Sequence, residues 1–296
     1  MLMNMYQFLS IAERRGLFNW LPTEWFLKYK FFRCTGKKLN LDNPKTFNEK
    51  LQKYKMVYAT MPELVDYTMM TDKILVKDYV AKKIGAEHII PTIGVWKHFD
   101  DIDFDRLPNQ YVLKTNHDSG GVVICRDRSS FNKTEAKRKL EKNLKLNFYW
   151  YGREPQYKNI VPQLFAEKYM MDETDQELRD YKIFCFEGQP KLVQVDFGRF
   201  SNHRRNLYTL DWEYVHASIK YPTDPFFEIK KPVCLDEMLE YAKILSDGIP
   251  QIRTDFYVVN DRVYFGELTF FHGSGYELFS PESFETEFSS WLRAPI

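Results

Sequence analysis

Near the end of the chain, two β-rich runs flank a short polar turn, and their outer ends carry Asp255 and Glu267. From Arg253 to Thr269, valines, tyrosines and phenylalanines bracket Asn260-Asp261-Arg262, the pattern of an antiparallel hairpin. Facing residues in such a pair have numbers of constant sum, so the turn decides which side chains share a face. Pairing Asp255 with Glu267 sets Val259 against Val263 and predicts a three-residue loop, Asn260 to Arg262. A two-residue turn at Asn260-Asp261 puts the acids on opposite faces unless a bulge shifts the register. With both acids on one face and Thr269 beside them, the hairpin has the oxygen donors that hold magnesium next to a phosphate. An edge hairpin with solvated acids is the plain alternative.

The rest of the chain must supply what such a site needs. With 296 residues it is long enough for two domains, or for a large α/β body with an attached lobe. Its formal charge of +1, from 42 basic and 41 acidic residues, argues against nucleic acid or a membrane surface as a general partner. Cys34, Cys125, Cys185 and Cys234 have no close pair, so neither a zinc ribbon nor a redox dithiol is expected, and reduced thiols point to the cytoplasm. No run approaches the roughly 20 apolar residues of a membrane span, and Glu13, Arg14 and Arg15 interrupt the start where a signal peptide would be apolar.

Apolar spacing near three and four predicts helices up to about Tyr58, with Thr46 as a cap and Glu49 three residues on. A helix from Asp72 to Lys83 ends at Gly85 before a strand at His88–Ile93. Strands follow at Tyr111–Lys114, Val122–Cys125, Ile160–Tyr169, Tyr181–Phe186 and Gln189–Asp196, with helices at Glu135–Leu146 and Leu235–Leu245. Neighbouring strands joined by short turns predict antiparallel pairs and an α+β class, not a doubly wound sheet.

Several segments have the chemistry of an anion site. Lys114 ends a strand and precedes a loop containing Ser119, Gly120 and Gly121, where bare backbone N–H groups can approach a phosphate; an ordinary glycine hairpin reads the same way. Glu167 breaks an apolar strand and is placed to accept from an adenine amino group, while Lys182 opens the next strand as a second phosphate contact; a strand reaching solvent and a surface lysine are the alternatives. Arg199, Arg204 and Arg205 sit in an Asn-rich stretch read as a loop, with guanidinium groups suited to carboxylate or phosphate. His272-Gly273-Ser274-Gly275 is a second small-residue loop.

Taken in order, these segments resemble the ATP-grasp superfamily, and specifically the TupA-like family named after teichuronopeptide biosynthesis. The resemblance runs through Asn43-Pro44-Lys45-Thr46-Phe47-Asn48-Glu49-Lys50, Asp72-Lys73, Ile90-Pro91-Thr92, Leu113-Lys114-Thr115-Asn116-His117 with Ser119-Gly120-Gly121, Ala166-Glu167, Asp180-Tyr181-Lys182 and the terminal hairpin. It implies an ATP-grasp fold with a helical region at 1–70, an α/β segment at 71–110, and two lobes within 111–296, the small one about 111–170 and the large one about 171–296. It implies ATP contacts from Lys77 (with Lys73 as competitor), Lys114, Ser119, Gly120, Gly121, Glu167, the backbone of Lys168 and Met170, and Lys182. Asp255 and Glu267 match the magnesium ligands, with Thr269 standing where the superfamily usually has Asn. Arg253 resembles the arginine near the reacting acyl group, and with Lys114 and Lys182 forms the implied catalytic set. Arg199, Arg204 and the 272–275 loop are the expected substrate contacts. A ribose-contacting acid stays open among Asp172, Glu173 and Asp175.

The implied activity is an ATP- and Mg²⁺-dependent carboxylate–amine ligase that joins an amino acid or other amine to a carboxylated sugar, nucleotide- or lipid-linked, in surface polysaccharide biosynthesis. A phosphotransferase at the same nucleotide site is the alternative. A glycosyltransferase of a polysaccharide cluster is another; Asp101-Ile102-Asp103 is an Asp-x-Asp, but so short a pattern is most often surface charge.

Overall fold

Capping residues set the entry to the fold. The computed structural model describes residues 9, 13, 16–171, 178–198 and 202–295. Helix α1 (Thr23–Thr35) stops at Gly36, whose φ of 72° lets its N–H return to the Phe32 carbonyl at 2.8 Å. Helix α2 (Phe47–Tyr58) starts on the expected capping box: the Thr46 hydroxyl accepts from Glu49 N, and the Glu49 carboxylate accepts from Thr46 N. Helices α3 (Leu64–Thr71) and α4 (Leu75–Ile84) follow.

The apolar run after α4 departs from the expected strand at His88–Ile93. Residues 86–88 form a 3₁₀ turn, Ile90 is buried, and the strand β1 is Thr92–Trp96. Pro91 has no N–H for a ladder, so regular pairing begins after it. Strand β1 joins β2 (Tyr111–Thr115), β3 (Val122–Cys125) and β4 (Leu164–Lys168) in one antiparallel sheet of order β1-β4-β2-β3. Between β3 and β4 lie α5 (Lys133–Leu144), which covers this sheet with Ala136 and Leu140, and the short α6 (Tyr149–Gly152).

A second antiparallel sheet has the order β10-β9-β5-β6-β7 and is built from β5 (Asp180–Phe186), β6 (Gln189–Phe197), β7 (Arg204–Tyr208), β9 (Gln251–Val259) and β10 (Arg262–Thr269). A small pair, β8 (Ser218–Ile219) with β11 (Phe279–Ser280), lies outside it. Helices α7 (Leu235–Ser246) and α8 (Glu282–Ser290) cover opposite faces. The central strand β5 is buried at every position because both of its faces are occupied. Cys185 meets the Ala242 carbonyl of α7, and on the other face Phe184 and Phe186 pack edge-on against Phe288 of α8 at 5.1 and 5.3 Å. Each such phenylalanine contributes roughly 1.5–3 kcal/mol by burial. Even-numbered β5 residues share this second face, so the aromatic core continues at its other end into Lys182 and Asp180.

The class is α+β, as expected. The helices α3, α6 and α8 and the short strands β8 and β11 went unread. Arg204 and Arg205 lie on the edge strand β7, not in a loop; the Asn- and Arg-rich sequence hid a strand whose side chains pair with Asp196 and Glu277. Asp101 falls in a 3₁₀ turn at 99–101 and accepts from the His98 N–H, and Asp103 caps the next turn at Asp105 N, so the Asp-x-Asp stretch is surface charge.

Candidate functional site

The hairpin reaches its pairing by the second of the two expected routes. Val259 faces Arg262 across a two-residue turn in which Asn260 and Asp261 have φ of 50° and 58°, so the three-residue loop is not formed. Such turns match the twist of the strands they join, and Asn and Asp tolerate left-handed backbone. The register then shifts between Phe265 and Glu267, and this bulge sets Glu267 opposite Asp255. Gly266 occupies the bulge because a Cβ there would lie 2.9 Å from the Asp255 carbonyl oxygen. Gly266→Ala is therefore expected to cost about 1–3 kcal/mol in urea unfolding and to lower turnover by displacing Glu267.

Around these acids one face of the second sheet concentrates charge. Lys182 Nζ donates to Asp180 Oδ2 at 2.5 Å and to Asp255 Oδ2 at 2.6 Å. Arg253, two residues from Asp255 on the same face, grips it bidentately, Nε to Oδ1 at 2.6 Å and Nη2 to Oδ2 at 2.7 Å. Its Nη2 also reaches Thr269 Oγ1 at 3.1 Å and Glu267 Oε1 at 3.3 Å. Burial raises the Asp255 pKa against the pull of Arg253 and Lys182. In Glu267 the balance tips the other way: burial pushes its pKa up, but Lys73, Arg253 and Lys182 outweigh it and hold it below the ordinary carboxylate value.

His272 closes this network from below. Arg253 Nη1 donates to His272 Nδ1 at 2.6 Å, so Nδ1 carries no proton, and Nε2 faces Glu277 Oε2 at 2.9 Å. Burial depresses its pKa to about 4. An unfolded histidine near 6.5 takes a proton that the native one refuses, so stability is complete above pH 6.5 and falls as pH drops toward 4. The expected loss is about 3 kcal/mol, absent in His272→Gln, and measurable as pH-dependent urea unfolding.

At the other end of the site, Glu167 on β4 lies between two lysines: Lys77 Nζ is 2.7 Å from its Oε1, and Lys114 contacts its Oε2. Burial raises the Glu167 pKa, yet Lys114 and Lys77 more than offset it and the net shift is downward. The sequence reading gave Glu167 to an adenine amino group; here its carboxylate spaces the two lysines. The loop after β2 is braced from α3 and α4. Asn116 Nδ2 donates to Asp72 Oδ2 at 2.8 Å, and Lys73 Nζ donates to the Asp118 carbonyl at 2.5 Å. Gly120 is exposed with φ of 120°, whereas Gly121 closes the loop, its carbonyl accepting from Thr115 N at 2.8 Å.

Between the sheets these groups line a cavity of about 750 Å³. Lys77, Lys114, Ser119, Gly120, Glu167, Lys168, Met170, Lys182, Asp255 and Glu267 all face it, with Lys73, Asp118 and Phe165 added. A second cavity of about 620 Å³ adjoins it, sharing Lys73, Asp118, Ser119 and Glu267 as common walls. Arg253, Thr269, Gly273 and Ser274 face this second space. His272 and Gly275 are packed beneath it: a Cβ on Gly275 would fall 2.3 Å from Gln52 Nε2. Arg204 lines neither cavity and donates to the Thr223 carbonyl. Arg199, Asp172, Glu173 and Asp175 lie outside the described residues.

The residues present fit magnesium. Among the described residues no three or more His, Cys, Asp or Glu side chains form a metal cage. Magnesium beside a nucleotide needs no cage, since it takes one or two carboxylates together with water and phosphate oxygens. Asp255 and Glu267 are hard oxygen donors on one hairpin face, and the Glu267 side chain is 44% exposed at the seam of the two cavities.

The model of a family described as TupA-like ATPgrasp matches residues 49–292. No protein of curated function matches the chain. Among solved structures, the chain is similar to D-alanine–D-alanine ligase from Bacillus anthracis complexed with ATP, at 17% identity over 68% of this chain and 53% of that one, with a TM-score of 0.38. It is similar to L-amino acid ligase from Bacillus licheniformis at 16% identity over 70% of this chain and 44% of that one, TM-score 0.40. D-alanine–D-alanine ligase from Helicobacter pylori matches at 18% over 76% and 62%, TM-score 0.38. The chain thus spans about half the length of the first two proteins.

Proposed function

Because the chain belongs to the TupA-like ATP-grasp family, we propose that it is an ATP- and Mg²⁺-dependent carboxylate–amine ligase acting on a carboxylated sugar in surface polysaccharide biosynthesis. The observation that carries this reading is the seam. Two cavities meet at Lys73, Asp118, Ser119 and Glu267, with paired acids on one side and lysines on the other.

On this reading ATP occupies the larger cavity between a small lobe of about 111–170, whose sheet is completed by β1 from the 71–110 segment, and a large lobe of about 171–296. Its adenine lies along Lys168 to Met170 against Phe165, and its phosphates run toward Lys77, Lys114, Lys182 and the Ser119–Gly121 loop. Glu167 sits between the two upstream lysines. Asp255 and Glu267 would hold magnesium, which when bound would neutralise charge on the transferring phosphoryl group. Thr269 supports Glu267 by donating to its Oε1 at 3.3 Å.

A substrate carboxylate entering from the second cavity attacks the γ-phosphorus; its oxygen gains the P–O bond that the ADP oxygen loses. Arg253 steadies the resulting acylphosphate. An amine nitrogen then attacks the acyl carbon, phosphate leaves, the nitrogen sheds its proton, and an amide remains.

Hydroxylamine tests this. With ATP, Mg²⁺ and a panel of uronic acids, the enzyme should yield a hydroxamate and stoichiometric phosphate. A stable phosphorylated sugar would replace the ligase with a phosphotransferase, and phosphate release with no acyl adduct would overturn the reading.

A further inference from the structure

An acid on the wall of the second cavity has no task in the chemistry above. Glu154 lines that cavity between α6 and the 3₁₀ turn at Pro155–Tyr157, with only 6% of its surface exposed. Its backbone is anchored through the residue before it. Arg153 has a left-handed φ of 55°, and its Nη2 donates to the carbonyls of Phe18 at 2.9 Å and Leu21 at 3.2 Å.

Neutral donors hold the Glu154 carboxylate. Gln156 Nε2 donates to its Oε2 at 3.1 Å, and the Ser274 hydroxyl donates from the 272–275 loop. A Cβ on Gly152 would lie 2.3 Å from Ser274 Oγ and 2.9 Å from Glu154 Oε1, so bare backbone there lets the two side chains meet. Behind them the enclosed Lys55 donates to Ser274 Oγ at 3.0 Å, to the Ser274 and Gly152 carbonyls at 2.8 Å each, and to Gln52 Oε1 at 3.0 Å. With its oxygen taken by Lys55, Ser274 turns its proton to Glu154. Lys30 and Arg33 of the same cavity pair with Glu13 at 3.4 and 2.8 Å, and among the described residues no cation is ion-paired with Glu154.

The other acids on this cavity are engaged. Glu277 meets Arg205 at 2.8 Å, His272 at 2.9 Å and Lys220 at 3.0 Å, and Glu267 meets Arg253 at 3.3 Å. Both Asp118 carboxylate oxygens pack inside their own loop, where a Cβ on Gly121 would meet them at 2.8 and 2.9 Å. A carboxylate has about four acceptor sites, and Glu154 keeps those beyond Gln156 and Ser274 for a ligand. Burial raises its pKa against the pull of Lys55 and the two hydrogen bonds, which makes it a stronger base than an ordinary carboxylate. Tyr157 ties it to the seam: burial, then Glu154, Glu267 and Asp118, push that phenol well above its ordinary pKa.

An amine of ordinary basicity arrives at neutral pH as an ammonium, and its lone pair is free only once a proton has left. We propose that Glu154 is the general base of amide formation and that the amine enters along the 148–157 wall. This rests on the ligase reading. The ammonium gives one proton to a Glu154 oxygen, and the freed lone pair forms the C–N bond. The acyl C–O bond breaks with its electrons leaving on phosphate, which carries off a second nitrogen proton, and Glu154 then returns its own proton to water.

The test compares two nucleophiles on one acylphosphate. Hydroxylamine is uncharged at neutral pH and needs no base, whereas ammonium chloride, glycine and L-lysine present the nitrogen as a cation. With ATP, Mg²⁺ and D-glucuronate or D-galacturonate, Glu154→Gln should form hydroxamate within about threefold of wild type and amide at least about a hundredfold more slowly. Glu154→Asp keeps the charge near Lys55 but withdraws it from the cavity, and should show the same split at about tenfold. Amide formation unchanged in Glu154→Gln, or hydroxamate and amide lost equally in both variants, overturns the assignment. Wild type that forms hydroxamate but no amide from any of the three amines overturns it while the acylphosphate reading stands. Wild type that forms no hydroxamate overturns both.

Discussion

Glu267→Gln is expected to fold normally and to lose about 10²–10³-fold in turnover. The amide keeps the shape and the oxygen that Thr269 and Arg253 contact at 3.3 Å, so the hairpin has no reason to rearrange. The lost charge matters more. Glu267 is held ionised against burial by Lys73, Arg253 and Lys182, and its side chain is the more open of the two acids at the seam. Folding should suffer little because 44% of that side chain is exposed. The measurement is steady-state phosphate release across a magnesium titration, paired with ATP affinity with and without the metal. The variant should bind ATP alone as wild type does, and lose the gain in affinity that magnesium brings. Turnover within threefold of wild type would show that Glu267 does not carry the metal.

Arg253→Met should be the most damaging substitution for stability. Arg253 satisfies Asp255 with two short hydrogen bonds and links it to His272, Thr269 and Glu267. Asp255 is fully enclosed beside Lys182 and Asp180. Removing the guanidinium leaves that carboxylate with Lys182 alone, next to a second buried acid. Breaking one partner of a buried ion pair costs about 3–5 kcal/mol, which chemical unfolding would read directly. Arg253→Met with Asp255→Asn should recover part of this loss, because the stranded charge is gone. If the double variant is as unstable as the sum of the singles, Arg253 and Asp255 are not coupled as the geometry has them.

The paired acids, Lys114, Lys182 and the glycine loop were legible because each has a local signature: a carboxylate at a strand end, a lysine where a strand meets a loop, two glycines together. Their convergence on one cavity follows from β2 and β4 pairing in one sheet and β5 and β9 in the other. Turn type was not legible. Asn260-Asp261 accepts either a two- or a three-residue loop, and the choice rests on Gly266, whose missing side chain allows the bulge. Glu167 faces the larger cavity, but its ion pair with Lys77 was not legible, because sequence gives no distance between residues 90 positions apart. The second cavity was invisible for the same reason. Lys30 and Arg33 look like ordinary charges on a helix, and only the contacts of Arg153 and Tyr151 bring them to that cavity. His272 and Gly275, read as substrate contacts, are part of the packing beneath the site because Gln52 and Glu277 meet them there.

Transfer of labelled oxygen tests the central claim, carboxylate activation by ATP, most directly. The enzyme would be given a uronic acid carrying ¹⁸O in its carboxylate, with ATP, Mg²⁺ and an amine, and the released phosphate analysed by mass spectrometry or by the ³¹P isotope shift. One ¹⁸O in each phosphate formed is the predicted result, since the carboxylate oxygen that attacks phosphorus leaves with it. Phosphate released without label would contradict the account.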